Sequence, residues 1–171
     1  MTLSTSATGL DGIALRSAFA TFATGITVLT VAGPVPRGMT ANSFTSVSLD
    51  PPLALACVGR DANMHASLLV AGCFGVSVLA AHQEPVARHF ADRRRSFGAA
   101  QFDAVPWRPG EHTGAPLILG ALAWFECRLW RTYDGGDHTI FVGWLQSAVR
   151  PEQAPDRGAL VFHSGRFRHL P

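Results

Sequence analysis

Gly38-Met39-Thr40-Ala41-Asn42-Ser43-Phe44-Thr45-Ser46-Val47-Ser48, followed by Asp50-Pro51-Pro52, gathers hydroxyls, one amide and small residues between apolar stretches. Small side chains let backbone approach a flat polar ligand, and hydroxyl and amide groups supply hydrogen bonds along its edge. The stretch reads as a ligand-binding strand, not as core. Other chemistries find little support. The chain has no Lys, which removes Schiff-base chemistry and the usual attachment of pyridoxal phosphate. His65, His82, His89 and His112 show no metal-ligand spacing, so no metal is expected. Neither a Ser-His-Asp pattern nor paired catalytic carboxylates can be found, and without Gly-x-Gly-x-x-Gly a Rossmann domain is not indicated.

At 171 residues the chain is most simply one domain, 1–171, with residues 1–12 read as a flexible N-terminus. Apolar residues make up 47% and charged residues only 15%, so some apolar surface is expected to enter a subunit interface, with a homodimer as the default, or to meet a cofactor. A formal charge of +2 and scattered Arg residues give no stripe for nucleic acid. Cys57, Cys73 and Cys127 are isolated and read as buried reduced thiols. With no leader-like N-terminus and no window long enough for a membrane span, the expected location is the cytoplasm.

Leu15, Ala18, Phe19 and Phe22 recur at helical spacing, predicting an amphipathic opening helix that ends near Gly25 and lies against a sheet. Ile26 to Val31 predicts a strand, and Gly38 to Ser48 the second strand of a hairpin with it. Leu53 to Val58 and Phe74 to Leu79 are short apolar strands. Between them Asp61 or Asn63 can cap a helix through Leu69. His82 to Ala91 predicts another helix, with Pro85 in its first turn. Asp92 to Gly114 lacks a period and reads as a mobile surface loop or lid. Two long β segments flank Asp134-Gly135-Gly136-Asp137, and Leu160 to Leu170 forms a last short hairpin. Mostly hairpin-joined strands with interposed helices predict an α+β fold, an antiparallel barrel with helices over its openings.

Gly25-Ile26-Thr27-Val28-Leu29-Thr30, then Gly38 to Phe44 with Ser46-Val47-Ser48-Leu49-Asp50-Pro51-Pro52, then Gly136-Asp137-His138, stand in an order that resembles the flavin reductase family. These are the reductase components of two-component flavin monooxygenases, built on the FMN-binding split barrel, and the likeness runs from about Leu15 to the C-terminus. The resemblance implies hydride transfer from NADH, or NADPH, to FAD or FMN, and a flavin-dependent monooxygenase partner that receives reduced flavin. Hydride transfer asks the protein mainly for stacking and orientation.

Residue by residue, the resemblance assigns Met39, Thr40, Ala41, Asn42, Ser43 and Ser46 to the isoalloxazine, with Cys57 and Val58 touching it through backbone. Arg60, Asn63 and Ser67 are the candidate donors to the ribityl phosphate, although Asn63 alone reads equally as a cap and Ser67 as a solvated hydroxyl. Phe90 could stack on flavin or adenine, though a core role is the commoner meaning. Arg93-Arg94-Arg95, Arg95 above all, could grip a diphosphate or stay solvated. His138 matches the histidine that faces the dinucleotide, while Phe162, His163 and Gly165 match a C-terminal segment near it or simply a terminal strand pair. Ser77 departs from the pattern, since relatives often carry Asn there. Two other classes stay open: a non-catalytic flavin-binding redox module, and a split-barrel oxidase with its own substrate, similar to pyridoxamine phosphate oxidases.

Overall fold

The computed structural model describes residues 11–151 and 158–171. The expected flexible N-terminus lies outside these except at its end, where Asp11 caps α1 (Gly12–Ala20) by accepting from Ile13 N and Ala14 N. Strands β1 (Thr24–Gly25), β2 (Thr27–Val31), β3 (Arg37–Ala41), β4 (Thr45–Leu49) and β5 (Pro52–Gly59) precede α2 (Asn63–Ala71). After β6 (Cys73–Val78) comes α3 (Glu84–Ala91), with Pro85 in its first turn as expected. The short pair β7 (Trp107–Pro109) and β8 (Pro116–Ile118) is followed by the long ribbon β9 (Ala123–Gly135) and β10 (His138–Val149). A closing hairpin, β11 (Leu160–His163) and β12 (Arg166–His169), adds β1 to make a three-stranded sheet.

The main sheet is antiparallel in the order β3-β2-β6-β9-β10-β5-β4. Its two edge strands are consecutive in sequence and separated only by Asn42, Ser43 and Phe44. Four Cα steps reach at most roughly 14 Å, so the edges of a seven-stranded sheet meet only if the sheet rolls into a barrel. Register shifts in β10 near Gly143 and in β4 near Val47 add the bend. No ladder joins β3 to β4, and the barrel is split there; a split barrel is the fold the resemblance implies.

Gly38 to Ser48 is therefore not one strand. It breaks because the Ser43 hydroxyl takes the place of a strand partner, donating to Cys57 O at 2.8 Å and accepting from Cys57 N at 3.0 Å. All five residues of β2 are buried because both of its faces are covered. Leu29 and Val31 face the barrel interior with Phe74, Phe141 and the α2 residues Met64 and Leu68. Val28 points the other way, with Phe90 of α3, Phe102 and Leu160.

Three further expectations change. The opening helix does not lie against a sheet: α1 ends at Ala20 and buries no residue, and Ile13, Phe19 and the following Phe22 are 73–77% exposed. Its hold on the described residues is the bond from Ser164 N to Ala20 O at 2.7 Å. Neither Asp61 nor Asn63 caps α2; Ala62 is the N-cap and makes no side-chain bond. Asp92 to Gly114 is not a bare loop. Glu126, on β9, holds its far end by accepting from His112 N, Thr113 N and Thr113 Oγ1. Burial pushes the Glu126 carboxyl up, but these hydrogen bonds outweigh it and leave the group below the usual carboxylate range.

The near end is held by Gln101, which is 2% exposed. Its Oε1 accepts from Gly38 N at 2.8 Å, and its Nε2 donates to Pro36 O at 2.9 Å and Gly98 O at 2.8 Å. One amide side chain thus stands in for a strand beside the open edge of β3. Gln101→Met keeps the volume and orphans these backbone groups, so it is expected to lower unfolding free energy by roughly 2–4 kcal/mol. Urea denaturation measures this, and an unmoved midpoint would deny Gln101 that role.

Candidate functional site

The open edge of β3 borders a cleft of about 360 Å³. One wall is β3 from Arg37 to Thr40, and a second is the start of α2 from Asp61 to Met64. The end of α3 and the segment carrying Arg93, Arg95, Ser96, Phe97 and Gln101 close it. Gly38 is required here, since a Cβ at this position would stand 2.6 Å from Phe90 Cδ1. Helix α3 can therefore pack directly under the strand.

The cleft brings together five of the residues assigned from the resemblance: Met39, Thr40, Asn63, Phe90 and Arg95. Several of them also make contacts within the fold. Thr40 Oγ1 donates to Ala87 O at 2.6 Å and fastens α3 to β3. Phe90 is fully buried in the core cluster, which leaves no ring face for stacking on a ligand. Arg95 donates to Gly38 O and, at 2.7 Å, to Asp92 O, so it supports the open edge on the same side as Gln101, whose Oε1 its Nε reaches at 3.4 Å. Burial lowers the Arg95 pKa, and the neighbouring Arg37 charge lowers it further. Asn63 and Ser67 lie one turn apart as expected, with Ser67 Oγ donating to Asn63 O at 3.0 Å.

The other β-strand candidates sit around the split. Ala41 is buried with its carbonyl accepting from Thr27 Oγ1, Asn42 and Ser46 are exposed, and Ser43 is joined to Cys57. Cys57 and Val58 pair with Ile140 and Thr139 of β10, and Val58 is core. Burial raises all three thiol pKa values, that of Cys127 to about 12 with the Glu126 charge adding. Ser77 faces away from the cleft's lining: its buried Oγ accepts from Ile118 N at 2.9 Å.

His138 opens β10 opposite Gly59. His138 Nε2 lies 3.7 Å, and Asp61 Oδ1 3.0 Å, from the point where a Gly59 Cβ would stand, so His138 adjoins the cleft wall through Gly59. Its Nδ1 pairs with Asp137 Oδ1 at 2.7 Å. Arg60 Nε donates to Gly136 O at 2.9 Å and its guanidinium pairs with the exposed Asp134 at 3.0 Å, clasping the hairpin tip. Phe162 pairs with Thr24 and stacks edge-on against Phe167, while His163 and Gly165 border a turn anchored to α1. These three do not line the cleft. The reading of the sequence missed Arg37, Asp61, Phe97 and Gln101. Arg37 stands at the head of the singled-out strand; the last two sit in a segment with no periodicity to mark them.

Residues 19–171 match the model of the flavin reductase like domain. The chain belongs to this family. It is 57% identical over 160 residues to the NADH-dependent FAD reductase of Streptomyces globisporus, covering 94% of this chain and 86% of that protein. Its structure is similar to that of BorF, the flavin reductase component of a bacterial two-component tryptophan halogenase, with 61% identity, a TM-score of 0.89, and coverage of 94% of this chain and 99% of that one. It is also similar to the Streptomyces globisporus NADH:FAD oxidoreductase in complex with NAD and FAD fragments, at 55% identity and a TM-score of 0.87, covering 94% of this chain and 93% of that one. The split barrel of this flavin reductase is thus the family fold.

The hydrogen bond from His138 is the largest cause holding the Asp137 carboxyl below its ordinary range, and the charge of His138 follows. A carboxyl depressed by folding contributes stability above its unfolded pKa and loses it as pH falls through the folded value. His138→Ala is expected to return the Asp137 titration toward the ordinary carboxylate range, followed by carboxyl-carbon NMR. A titration unmoved by the substitution would mean that the pair does not persist in solution.

Proposed function

We propose that this flavin reductase oxidises NADH and passes the hydride to FAD or FMN, supplying reduced flavin to a separate flavin-dependent monooxygenase. The observation that carries this is the likeness, over almost the whole chain, to NADH-dependent FAD reductase. It is joined by the FMN reductase (NADH) of Agrobacterium fabrum, 39% identical over 160 residues that cover 93% of this chain and 86% of that protein, and by the reductase component of a tryptophan halogenase.

When bound, the flavin supplies the hydride acceptor at N5; everything else falls to binding and orientation. The residues present fit a flavin. Gly38 and Ala41 keep β3 free of bulk, and Asn42, Ser43 and Ser46 cluster beside the split. Arg37, Arg93 and Arg95 give the cleft a positive lining against the single carboxylate of Asp61. His138, held by Asp137, is the residue we assign to orienting the dinucleotide, with Phe162, His163 and Gly165 as a more distant border. In the same reading residues 1–171 form one flavin reductase-like domain.

Two finer points belong to the same reading. A homodimer would cover the apolar groups left open, Leu49 at 95% exposure and the aromatic Trp130, Tyr133 and Trp144 of the β9–β10 ribbon among them. Three unpaired cysteines suit the reducing cytoplasm, and among the described residues no helix is long and apolar enough to cross a membrane.

The test mixes purified protein with NADH and FAD or FMN in air and follows nicotinamide absorbance. Rapid oxidation that requires added flavin is expected, and His138→Ala should lower kcat/KM for NADH about tenfold, the loss of one orienting contact. Flavin binding without turnover by NADH or NADPH would sink the reductase reading and favour a non-catalytic flavin module.

A further inference from the structure

His65, on the first turn of α2, does not line the cleft. Its ring packs edge-on against the buried Phe141 of the barrel interior, with 5.3 Å between centroids and 77° between planes. There its Nε2 meets Thr139 Oγ1 at 2.8 Å. Thr139 is only 6% exposed and shares with Phe141 the inward face of β10. Among the described residues this is the only side-chain hydrogen bond between α2 and β10.

Two side chains tie the start of α2 to the strand that begins with His138, and they are unequal. Arg60 works from the surface, where its guanidinium, 48% exposed, pairs with an Asp134 carboxylate that is 82% exposed. An exposed ion pair of this kind contributes little. The bond between His65 and Thr139 is partly buried, and breaking it strands a hydroxyl in an apolar setting, so His65 is the stronger constraint. The register carries that constraint to His138, which directly precedes Thr139 and pairs with Gly59. Around Gly59 the His138 ring and the Asp61 carboxylate of the cleft wall approach the same point. Their separation therefore depends on how α2 docks on β10.

We propose that His65 is a positioning residue for the reduction, holding His138 in place relative to the cleft through Thr139. This rests on the reading of His138 as the residue that orients the dinucleotide. A histidine that served stability alone would act independently of His138. A positioning histidine is coupled to it, and its effect on turnover vanishes once the His138 imidazole is gone.

The test is a double-mutant cycle that pairs His138→Ala with His65→Phe, which keeps a ring against Phe141 and removes the nitrogen. With FMN as acceptor, His65→Phe is expected to lower kcat/KM for NADH about threefold in the unsubstituted background and not at all beside His138→Ala. Thr139→Val, which removes the hydroxyl from the other side, should match that loss, and His65→Gln, whose amide can bond the same hydroxyl, should restore most of it. A melting transition checks that each variant is folded. A loss of equal size in both backgrounds, or none in either, overturns the proposal. The carboxyl-carbon titration of Asp137 reads the same coupling without turnover: His65→Phe should move it in the direction that His138→Ala does, by less, and an unmoved titration would also overturn the proposal. If the unsubstituted protein fails to oxidise NADH with either flavin, the reductase reading falls, and the Asp137 titration alone decides whether His65 holds His138.

Discussion

The crossing from β3 to β4 governs this molecule. Three residues join strands at opposite edges of a seven-stranded sheet, and a chain that short cannot span a flat sheet whose strands lie about 4.8 Å apart. Rolling is the only solution, and the Ser43 hydroxyl secures it by bonding both backbone groups of Cys57. The interior then closes around Phe74 and Phe141, with Met64 and Leu68 of α2 entering from one opening.

A split barrel keeps an edge that a closed barrel would not, and unpaired backbone there invites association. This chain answers with side chains. Gln101 takes the N–H of Gly38 and Arg95 takes its carbonyl, so the edge is satisfied at Gly38 without a neighbouring strand, and a cleft remains beside it. The position of the cleft and the solution of the edge problem are therefore one arrangement. The same logic explains why Thr40, a binding candidate by type, is spent on Ala87 O: α3 must be held under β3 for Gln101 to reach its place.

Much of this was legible in the residues. The apolar runs of β2, β5 and β6, the Gly-rich tip between β9 and β10 and the Pro-led helix α3 each follow from local pattern, and the order of motifs pointed to the family. What local pattern could not show is where a polar side chain serves the backbone at a distance. Ser43 and Cys57 are 14 residues apart, and Gly38 and Gln101 are 63 apart, separations at which no periodicity survives. The Asp92 to Gly114 segment was misread for that reason: its order comes from Gln101 and from Glu126, not from propensity. Helix α1 was misread the other way, because a helical spacing of apolar residues fixes a face but does not supply a surface for it.

Gly38 carries a consequence for how such a site can change over evolutionary time. Phe90 fills the space where any side chain at this position would go, so the floor of the cleft can be altered only by rebuilding the contact between strand and helix at once. The rim has no such coupling: Arg37 and Phe97 touch each other and solvent. Divergence in what the pocket accepts is thereby channelled to its mouth, where single substitutions are structurally cheap, while its base stays frozen.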